Sequence, residues 1–248
     1  MFIFNKILTA FLFLMVGSPV SASIYSERIK NISLDKISSL LKHQETDVVC
    51  LSTSDKPFLI GMLHQVLINA SIDKVISVFE DFENYSKIFK DLKRVNIIEK
   101  RGQQEFVVEY ESIIPIPFVS NSIYQLHYFG KVEEKPQLQT TYRFELIKGN
   151  DLKSLDGIIV IKKIGSTETL YQELDFLDAD WGIAKTFAAK SIWRDTVTSA
   201  IESDFGLKIK SENPKMESKE IIKQSRFSVE SKKIQNCLDQ KKESSILF

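Results

Sequence analysis

The chain has 248 residues, 43% of them hydrophobic, and its 33 Lys and Arg residues balance 33 Asp and Glu residues. Because nucleic-acid binders carry an excess of basic residues, this balance argues against a nucleic-acid partner. The length allows one ample domain with additional segments, or two small domains.

The first 22 residues have the pattern of a secretory signal peptide. Lys6 precedes an apolar run from Ile7 to Val16, and Val20-Ser21-Ala22 follows as a cleavage site. The run is too short to span a bilayer, and a membrane anchor or a buried N-terminal helix is the competing interpretation. We therefore predict cleavage after Ala22 and export to the periplasm or the extracellular space.

A lead-in segment, residues 23–56, follows the cleavage site and contains a predicted helix over residues 33–43. Residues 57–69 are then long, apolar and β-rich, which predicts a strand buried on both faces. Helical spacing of apolar residues continues over residues 71–92 with a break at 81–84. This pattern predicts two short helices after the first strand.

From residue 95 onward the hydrophobic period changes to two, which is typical of β-strands. Turn-sized separations favour an antiparallel meander. In the last strand Leu174 and Phe176 alternate with Glu173 and Asp175, which predicts a buried apolar face and an acidic face in water. The six predicted strands cover residues 95–100, 105–113, 121–134, 139–147, 156–164 and 169–177.

Two prolines interrupt this meander between its second and third strands. Pro115 and Pro117 have no N–H for a sheet ladder, so they predict a short structured loop. Two interpretations remain open: a lip at the mouth of a cavity, with Ile116 and Phe118 at the entrance, or a plain connection.

Residues 180–205 predict a long terminal helix with a broad apolar stripe. Small residues make part of this stripe thin: Ala184, Ala188, Ala189 and Ser191. Residues 209–248 form a polar tail, with at most one predicted helix around residues 217–224. From Gly206 onward the chain has ten Lys and Arg residues and six Asp and Glu residues, so this segment carries a small positive charge. The tail is either a solvated segment or makes transient contact with an anionic membrane surface.

Three segments resemble START-related helix-grip proteins of the SRPBCC superfamily. The segment at 70–98 is similar to their strand-to-helix opening, through Ala70, Val75, Val78, Phe79, Asp81, Asn84 and Tyr85. The segment at 112–128 resembles the Pro-x-Pro loop of coenzyme-Q-binding and polyketide cyclase-like relatives, although Asn121-Ser122 replaces their Arg-Asp. The segment at 180–197 resembles their terminal helix.

The resemblance covers residues 57–208 and implies an α+β helix-grip fold. In this fold a seven-stranded curved antiparallel sheet surrounds the long C-terminal helix, and two short helices follow the first strand. The small residues of the helix then leave a hydrophobic cavity, unless neighbouring rings fill the space and the core is solid. The candidate cavity residues are His64, Tyr110, Phe118, Tyr124, Tyr128, Tyr142, Phe144, Gln172, Leu174, Phe176, Phe187 and Ala188.

The sequence contains no phosphate-binding loop, no nucleophile elbow and no zinc-binding helix motif. His43, His64 and His127 do not cluster, so we predict neither a metal site nor a cofactor. Cys50 and Cys237 are either both free or joined in a disulfide, as an even count in an exported chain suggests.

The leading hypothesis is an exported binding protein for a hydrophobic, lipid- or isoprenoid-like small molecule, without catalysis. The first alternative is an aromatase/cyclase-type enzyme in which His64 acts as a general base beside the tyrosines. The second is an interaction module with a solid core that displays the tail from Gly206 to Phe248 to a partner.

Overall fold

A computed structural model describes residues 46–53, 56–113, 120–133, 138–179, 189–229, 231–240 and 242–243. The predicted signal peptide, the helix over 33–43 and the proline loop with Phe118 lie outside these ranges. Phe187 and Ala188, at the predicted start of the terminal helix, lie outside them as well.

A single sheet forms the centre of the described structure, in the spatial order β3-β4-β5-β6-β7-β8-β2-β1-β9. Neighbouring strands are antiparallel except for the short β1–β9 pair, which is parallel. The strands are β1 Thr46–Thr53, β2 Lys56–Ile68, β3 Leu92–Lys100, β4 Glu105–Ser112, β5 Ser122–Glu133, β6 Gln139–Gly149, β7 Leu152–Lys163, β8 Thr169–Ala179 and β9 Lys242–Glu243.

The structure keeps the order of the seven predicted strands and adds two. Strand β1 lies inside the segment predicted as a lead-in. It pairs with β2, and its continuous apolar run Val48-Val49-Cys50-Leu51 is buried on both faces of the sheet. Strand β2 lies between β1 and β8, so the first and last of the seven predicted strands are neighbours. This closure places His64 directly opposite Glu173.

Two short α-helices with a 3₁₀ turn between them follow β2, and three helices follow β8 among the described residues. The helices are α1 Ile72–Phe79, a 3₁₀ helix Phe82–Asn84, α2 Tyr85–Ile88, α3 Ala189–Glu212, α4 Ser218–Ser228 and α5 Ser231–Asp239. Within the described part of the chain, no helix is both long and apolar enough to cross a membrane.

Helix α3 continues to Glu212, beyond the predicted end at residue 205, because its last turns contact the end of β2. Lys208 Nζ donates to the Leu67 carbonyl at 2.6 Å, and Glu212 Oε1 accepts the Asn69 N–H at 2.7 Å. Gly206 does not end the helix. A Cβ atom at Gly206 would lie 3.0 Å from the Ile88 carbonyl oxygen, so glycine permits the close approach of α2.

The polar tail differs from its prediction, because α4 and α5 bury apolar side chains against the domain. Ile221 of α4 is fully buried, and Ile234 and Leu238 of α5 lie in a cluster with Val48 of β1. A disulfide joins Cys50 of β1 to Cys237 of α5, with 5.1 Å between the Cα atoms. A few apolar residues on one face are enough to dock these otherwise charged helices.

One prediction about β8 is wrong: Leu174 and Phe176, which the sequence assigns to the cavity, lie on the face of the sheet turned away from α3. Directly paired residues of antiparallel strands share a face, and Leu174 pairs with Leu63 while Glu173 pairs with His64. His64 contacts α3, so the acidic side of β8 faces the helix. Leu174 and Phe176 are fully buried on the opposite face, which is why hydrophobicity alone could not distinguish the two faces.

Candidate functional site

A cavity of about 630 Å³ lies between the sheet, helix α2 with the residues after it, and helix α3. Most of its wall is aromatic or aliphatic, as is usual for small-molecule sites. The apolar lining includes Phe79, Tyr85, Ile88, Phe89, Leu92, Tyr110, Tyr124, Leu126, Tyr128, Phe144, Leu152, Leu155, Ile159, Tyr171, Leu177 and Leu207.

We call the part of this wall formed by Tyr110, Tyr124, Tyr128 and Phe144 the aromatic end. The Tyr110 and Tyr124 rings are stacked with centroids 5.2 Å apart, and the Tyr110 and Tyr128 hydroxyl groups share a hydrogen bond of 2.9 Å. The Tyr124 hydroxyl bonds the Ser112 hydroxyl at 3.0 Å. Each phenol therefore has a neutral partner, and the wall is in effect apolar.

Burial keeps these phenols neutral. It raises the pKa of Tyr124 to about 12, and it also raises the pKa of Tyr110 and of Tyr128 well above the usual value of a phenol. A buried phenolate would lose its hydration without gaining a cationic partner, so deprotonation is strongly disfavoured.

We call the group formed by His64, Glu173, Asp175 and Asp204 the carboxylate end. His64 and Asp204 are each 2% exposed, and His64 Nδ1 lies 2.8 Å from Asp204 Oδ2 of α3. On its other side, His64 Nε2 is directed toward Glu173 Oε2 at 4.0 Å. One ligand atom each from His64, Glu173 and Asp175 lies within 4.8 Å of the other two.

Neighbouring groups hold the two carboxylates of β8 in place. The Tyr171 hydroxyl donates to Glu173 Oε2 at 2.6 Å. The Met62 backbone N–H donates to Asp175 Oδ1 at 3.2 Å. Both carboxylates therefore face the cavity with a defined orientation.

The carboxylate end has more negative than positive charge to accommodate. Burial would lower the pKa of His64, but Asp204, followed by Glu173 and Asp175, raises it to about 10. Burial raises the pKa of Glu173 and, against the attraction of His64, raises that of Asp175 to about 7. A cation bound at the carboxylate end would be stabilised by the surplus negative charge.

The sequence candidates separate into four groups. His64, Tyr110, Tyr124, Tyr128 and Phe144 line the cavity. Tyr142 is fully buried on the same face, but its ring lies against Phe79 and its hydroxyl donates to Glu80 Oε1 at 2.6 Å.

Gln172, Leu174 and Phe176 lie on the opposite face of the sheet, where the Gln172 amide donates to Gln65 Oε1 at 3.1 Å. The prediction that these three residues line the cavity is therefore wrong. An error of one residue in the phase of a strand moves every side chain to the other face. Phe118, Phe187 and Ala188 lie outside the described residues.

Sequence reasoning missed Glu173, Asp175 and Asp204. Asp204 is 140 residues away from His64 in the chain and becomes its neighbour only through the packing of α3 on β2. Glu173 and Asp175 were assigned to a solvent-exposed face. One signal was available: if the first and last of the seven predicted strands pair, the polar His64 is brought next to this acidic alternation.

A curved antiparallel sheet that grips a long C-terminal helix over a cavity defines a START-like, or helix-grip, fold, and this chain has that fold. No protein-family model matches the chain, and no curated protein sequence matches it. The likeness is therefore to solved structures of low sequence identity.

A STAR-related lipid transfer protein from Xanthomonas axonopodis matches with a TM-score of 0.52 and 15% identity, over 70% of this chain and 94% of that one. Human STARD10 matches with a TM-score of 0.50 and 11% identity, over 68% of this chain and 71% of that one. The Zhui aromatase/cyclase from Streptomyces sp. R1128 has a TM-score of 0.49 and 16% identity, over 61% of this chain and 93% of that one.

Proposed function

We propose that this protein is an exported binding protein that holds a hydrophobic small molecule, lipid-like or isoprenoid-like, in the cavity beneath α3. The cavity itself is the observation that carries this proposal. Its volume of about 630 Å³ falls inside the roughly 300–1,000 Å³ that small-molecule sites occupy. The Xanthomonas axonopodis structure of the same fold is named a lipid transfer protein, which supports the class of ligand.

The charges of the lining narrow the chemistry of the ligand. Among the described lining residues, seven are acidic, whereas Lys90 and Arg226 are the permanent cations. Lys90 is already bound to Glu202 at 2.5 Å. A ligand with a neutral hydroxyl or carbonyl group fits this lining better than a ligand with a carboxylate.

Export is supported by the sequence pattern of residues 1–22 and by the disulfide between Cys50 and Cys237. Disulfides persist in oxidising compartments and are rare in reducing ones. We therefore propose that the cavity collects its ligand outside the cytoplasm.

The proposal is tested by extracting the purified protein with organic solvent, analysing the extract by mass spectrometry, and titrating the protein with a fluorescent long-chain alcohol. We expect a co-purifying apolar molecule and saturable binding of the probe. A fatty acid with the same chain and fluorophore should bind more weakly. A clean extract together with no probe binding would overturn the proposal.

A cavity-filling variant makes this test specific. Ser203 of α3 lines the cavity, whereas Arg194 of the same helix is exposed and does not. Ser203→Trp should abolish probe binding and change the free energy of unfolding by less than the roughly 1–3 kcal/mol that overpacking a solid core costs. Arg194→Trp is the matched control and should bind the probe like the wild type.

An enzyme of the aromatase/cyclase type is the second candidate, and the buried His64–Asp204 pair favours it. The pKa of about 10 keeps His64 protonated at neutral pH, so its role would be proton donation to a bound substrate rather than the general-base role considered from the sequence. A His64→Gln variant separates the candidates: a binding protein keeps its affinity for the alcohol probe, whereas an enzyme loses turnover of the extracted molecule.

A further inference from the structure

We propose that the carboxylate end is a binding site for a divalent transition-metal ion such as Zn²⁺. His64 Nε2 and one carboxylate oxygen each from Glu173 and Asp175 are the ligands, and Asp204 is the positioning residue of the imidazole. This proposal goes beyond the proposed function, because it does not depend on which apolar molecule the cavity holds.

The first argument is an unpartnered nitrogen. The His64 side chain is only 3% exposed, and no hydrogen-bond partner of its Nε2 exists within the described ranges of the chain. The nearest carboxylate oxygen, Glu173 Oε2, is 4.0 Å away, which is beyond hydrogen-bond distance. An unpaired buried polar group lowers the stability of the fold, so we infer that this nitrogen binds a ligand in the space that it faces.

The second argument is the spacing of the three ligand residues. Their ligand atoms lie within 4.8 Å of one another. Metal–ligand bonds of about 2.0–2.1 Å in tetrahedral geometry require separations of about 3.4 Å, so the carboxylates must close by roughly 1.4 Å or less. Glu173 and Asp175 are next-but-one neighbours on β8 and face the same side, so rotation of their side chains suffices.

The third argument is that every ligand has an outer partner. Asp204 accepts from His64 Nδ1–H, so Nε2 is the ring nitrogen that can release its proton and bind a metal. Glu173 is held by the Tyr171 hydroxyl, and Asp175 is held by the Met62 N–H. Metal-ligating histidines almost always donate their other N–H to a carboxylate or carbonyl group, and ligating carboxylates are hydrogen-bonded in turn.

The fourth argument concerns charge and the choice of metal. Three carboxylates surround the imidazole, and a divalent cation balances them better than the proton that Nε2 otherwise carries; binding would release that proton. One imidazole with two carboxylates suits zinc and similar ions, whereas Mg²⁺ and Ca²⁺ prefer oxygen ligands alone. The ligand residues line the cavity, so the open coordination positions face it.

Co²⁺ and Zn²⁺ titrations of the full chain test this site. Co²⁺ should give visible absorption bands that saturate at one equivalent, and Zn²⁺ should displace it and raise the melting temperature. The double variant Glu173→Gln/Asp175→Asn should lose at least about 100-fold in affinity, and Asp204→Asn should lose about 10- to 100-fold. Circular dichroism checks that each variant is folded.

The matched control is His127→Gln/Glu105→Gln, because His127 Nε2 and Glu105 Oε1 form an ordinary pair at 2.9 Å elsewhere on the sheet. It should bind Co²⁺ like the wild type. Folded wild type without a Co²⁺ band, or equal binding by the double variant, would overturn the metal site. Stabilisation by a long-chain alkylammonium ion but not by Co²⁺ would overturn it too, and would identify an organic-cation site.

Binding of the fluorescent alcohol is measured in the same samples, so the two proposals can fail separately. Wild type that binds the alcohol but not Co²⁺ disproves the metal site alone. Wild type that binds Co²⁺, gives a clean extract and does not bind the alcohol disproves the proposed function alone.

Discussion

At the aromatic end of the cavity the Tyr110 and Tyr128 hydroxyl groups satisfy each other, whereas at the carboxylate end His64 Nε2 has no partner among the described residues. Both ends are built on the same face of one sheet. At the aromatic end neutral hydroxyl groups hydrogen-bond to one another, so that the wall offers an apolar surface. At the second end charges converge from β2, β8 and α3 and remain incompletely balanced.

This difference assigns a separate task to each end. A surface whose polar atoms are already paired favours the apolar body of a ligand. A buried group with an open donor position and surplus negative charge favours a cation or a hydrogen-bonding head group. The cavity thus has an apolar end and a charged end, and variants at the two ends should change stability and ligand binding to different extents.

The largest expected effect comes from removing the imidazole at the carboxylate end. His64→Leu leaves Asp204 buried without its partner, which should lower the free energy of unfolding by about 3–5 kcal/mol at neutral pH without added metal. His127→Leu is the control, because its partner Glu105 is 37% exposed, and it should cost about 1 kcal/mol or less. Urea unfolding measures both, and equal losses would contradict the comparison.

The next effect concerns the covalent link behind the carboxylate end. The Cys50–Cys237 disulfide joins β1 to α5, and both cysteines belong to the same buried cluster as Met62, which lines the cavity. The double variant Cys50→Ser/Cys237→Ser should lose about 2–4 kcal/mol of stability. Wild type under reducing conditions should match it. Two free thiols in the unreduced wild type would show that the disulfide does not form.

A smaller effect is expected at the aromatic end. Tyr110→Phe leaves the Tyr128 hydroxyl without its partner and should cost about 1–2 kcal/mol. The double variant Tyr110→Phe/Tyr128→Phe should cost less than the sum of the single changes, and it should still bind the alcohol probe. Strict additivity in urea unfolding would contradict the hydrogen bond between the two hydroxyl groups, whereas loss of probe binding would mean that these groups contact the ligand.

The smallest effect at physiological pH is the titration of Tyr124. Its folded pKa is about 12 against a usual value near 10, so its stabilising contribution is complete below pH 10 and is lost as the pH rises toward 12. Tyrosinate absorbance of the native protein should therefore develop late, and Tyr124→Phe should remove one late-titrating group. Seven tyrosines that all titrate near pH 10 while the protein stays folded would contradict this.

The sequence by itself determined the order and type of the elements between residues 57 and 205. The change of hydrophobic period from 3.6 to 2 and back separates helices from strands, because each secondary structure places side chains on one face at its own interval. The same pattern identified the tyrosines of the aromatic end, since apolar alternation on β4 and β5 marks a face turned toward the interior.

Only the tertiary structure decided the carboxylate end and the tail. The apolar face of β8 is buried away from α3 and its acidic face is half-buried toward the cavity, so its phase depends on the pairing of His64 with Glu173 and on the position of α3, not on hydrophobicity. Asp204 becomes a partner of His64 across 140 residues because two distant elements pack together. Helices α4 and α5 are held by a few apolar contacts and a disulfide, and long-range contacts of this kind leave no period in a sequence.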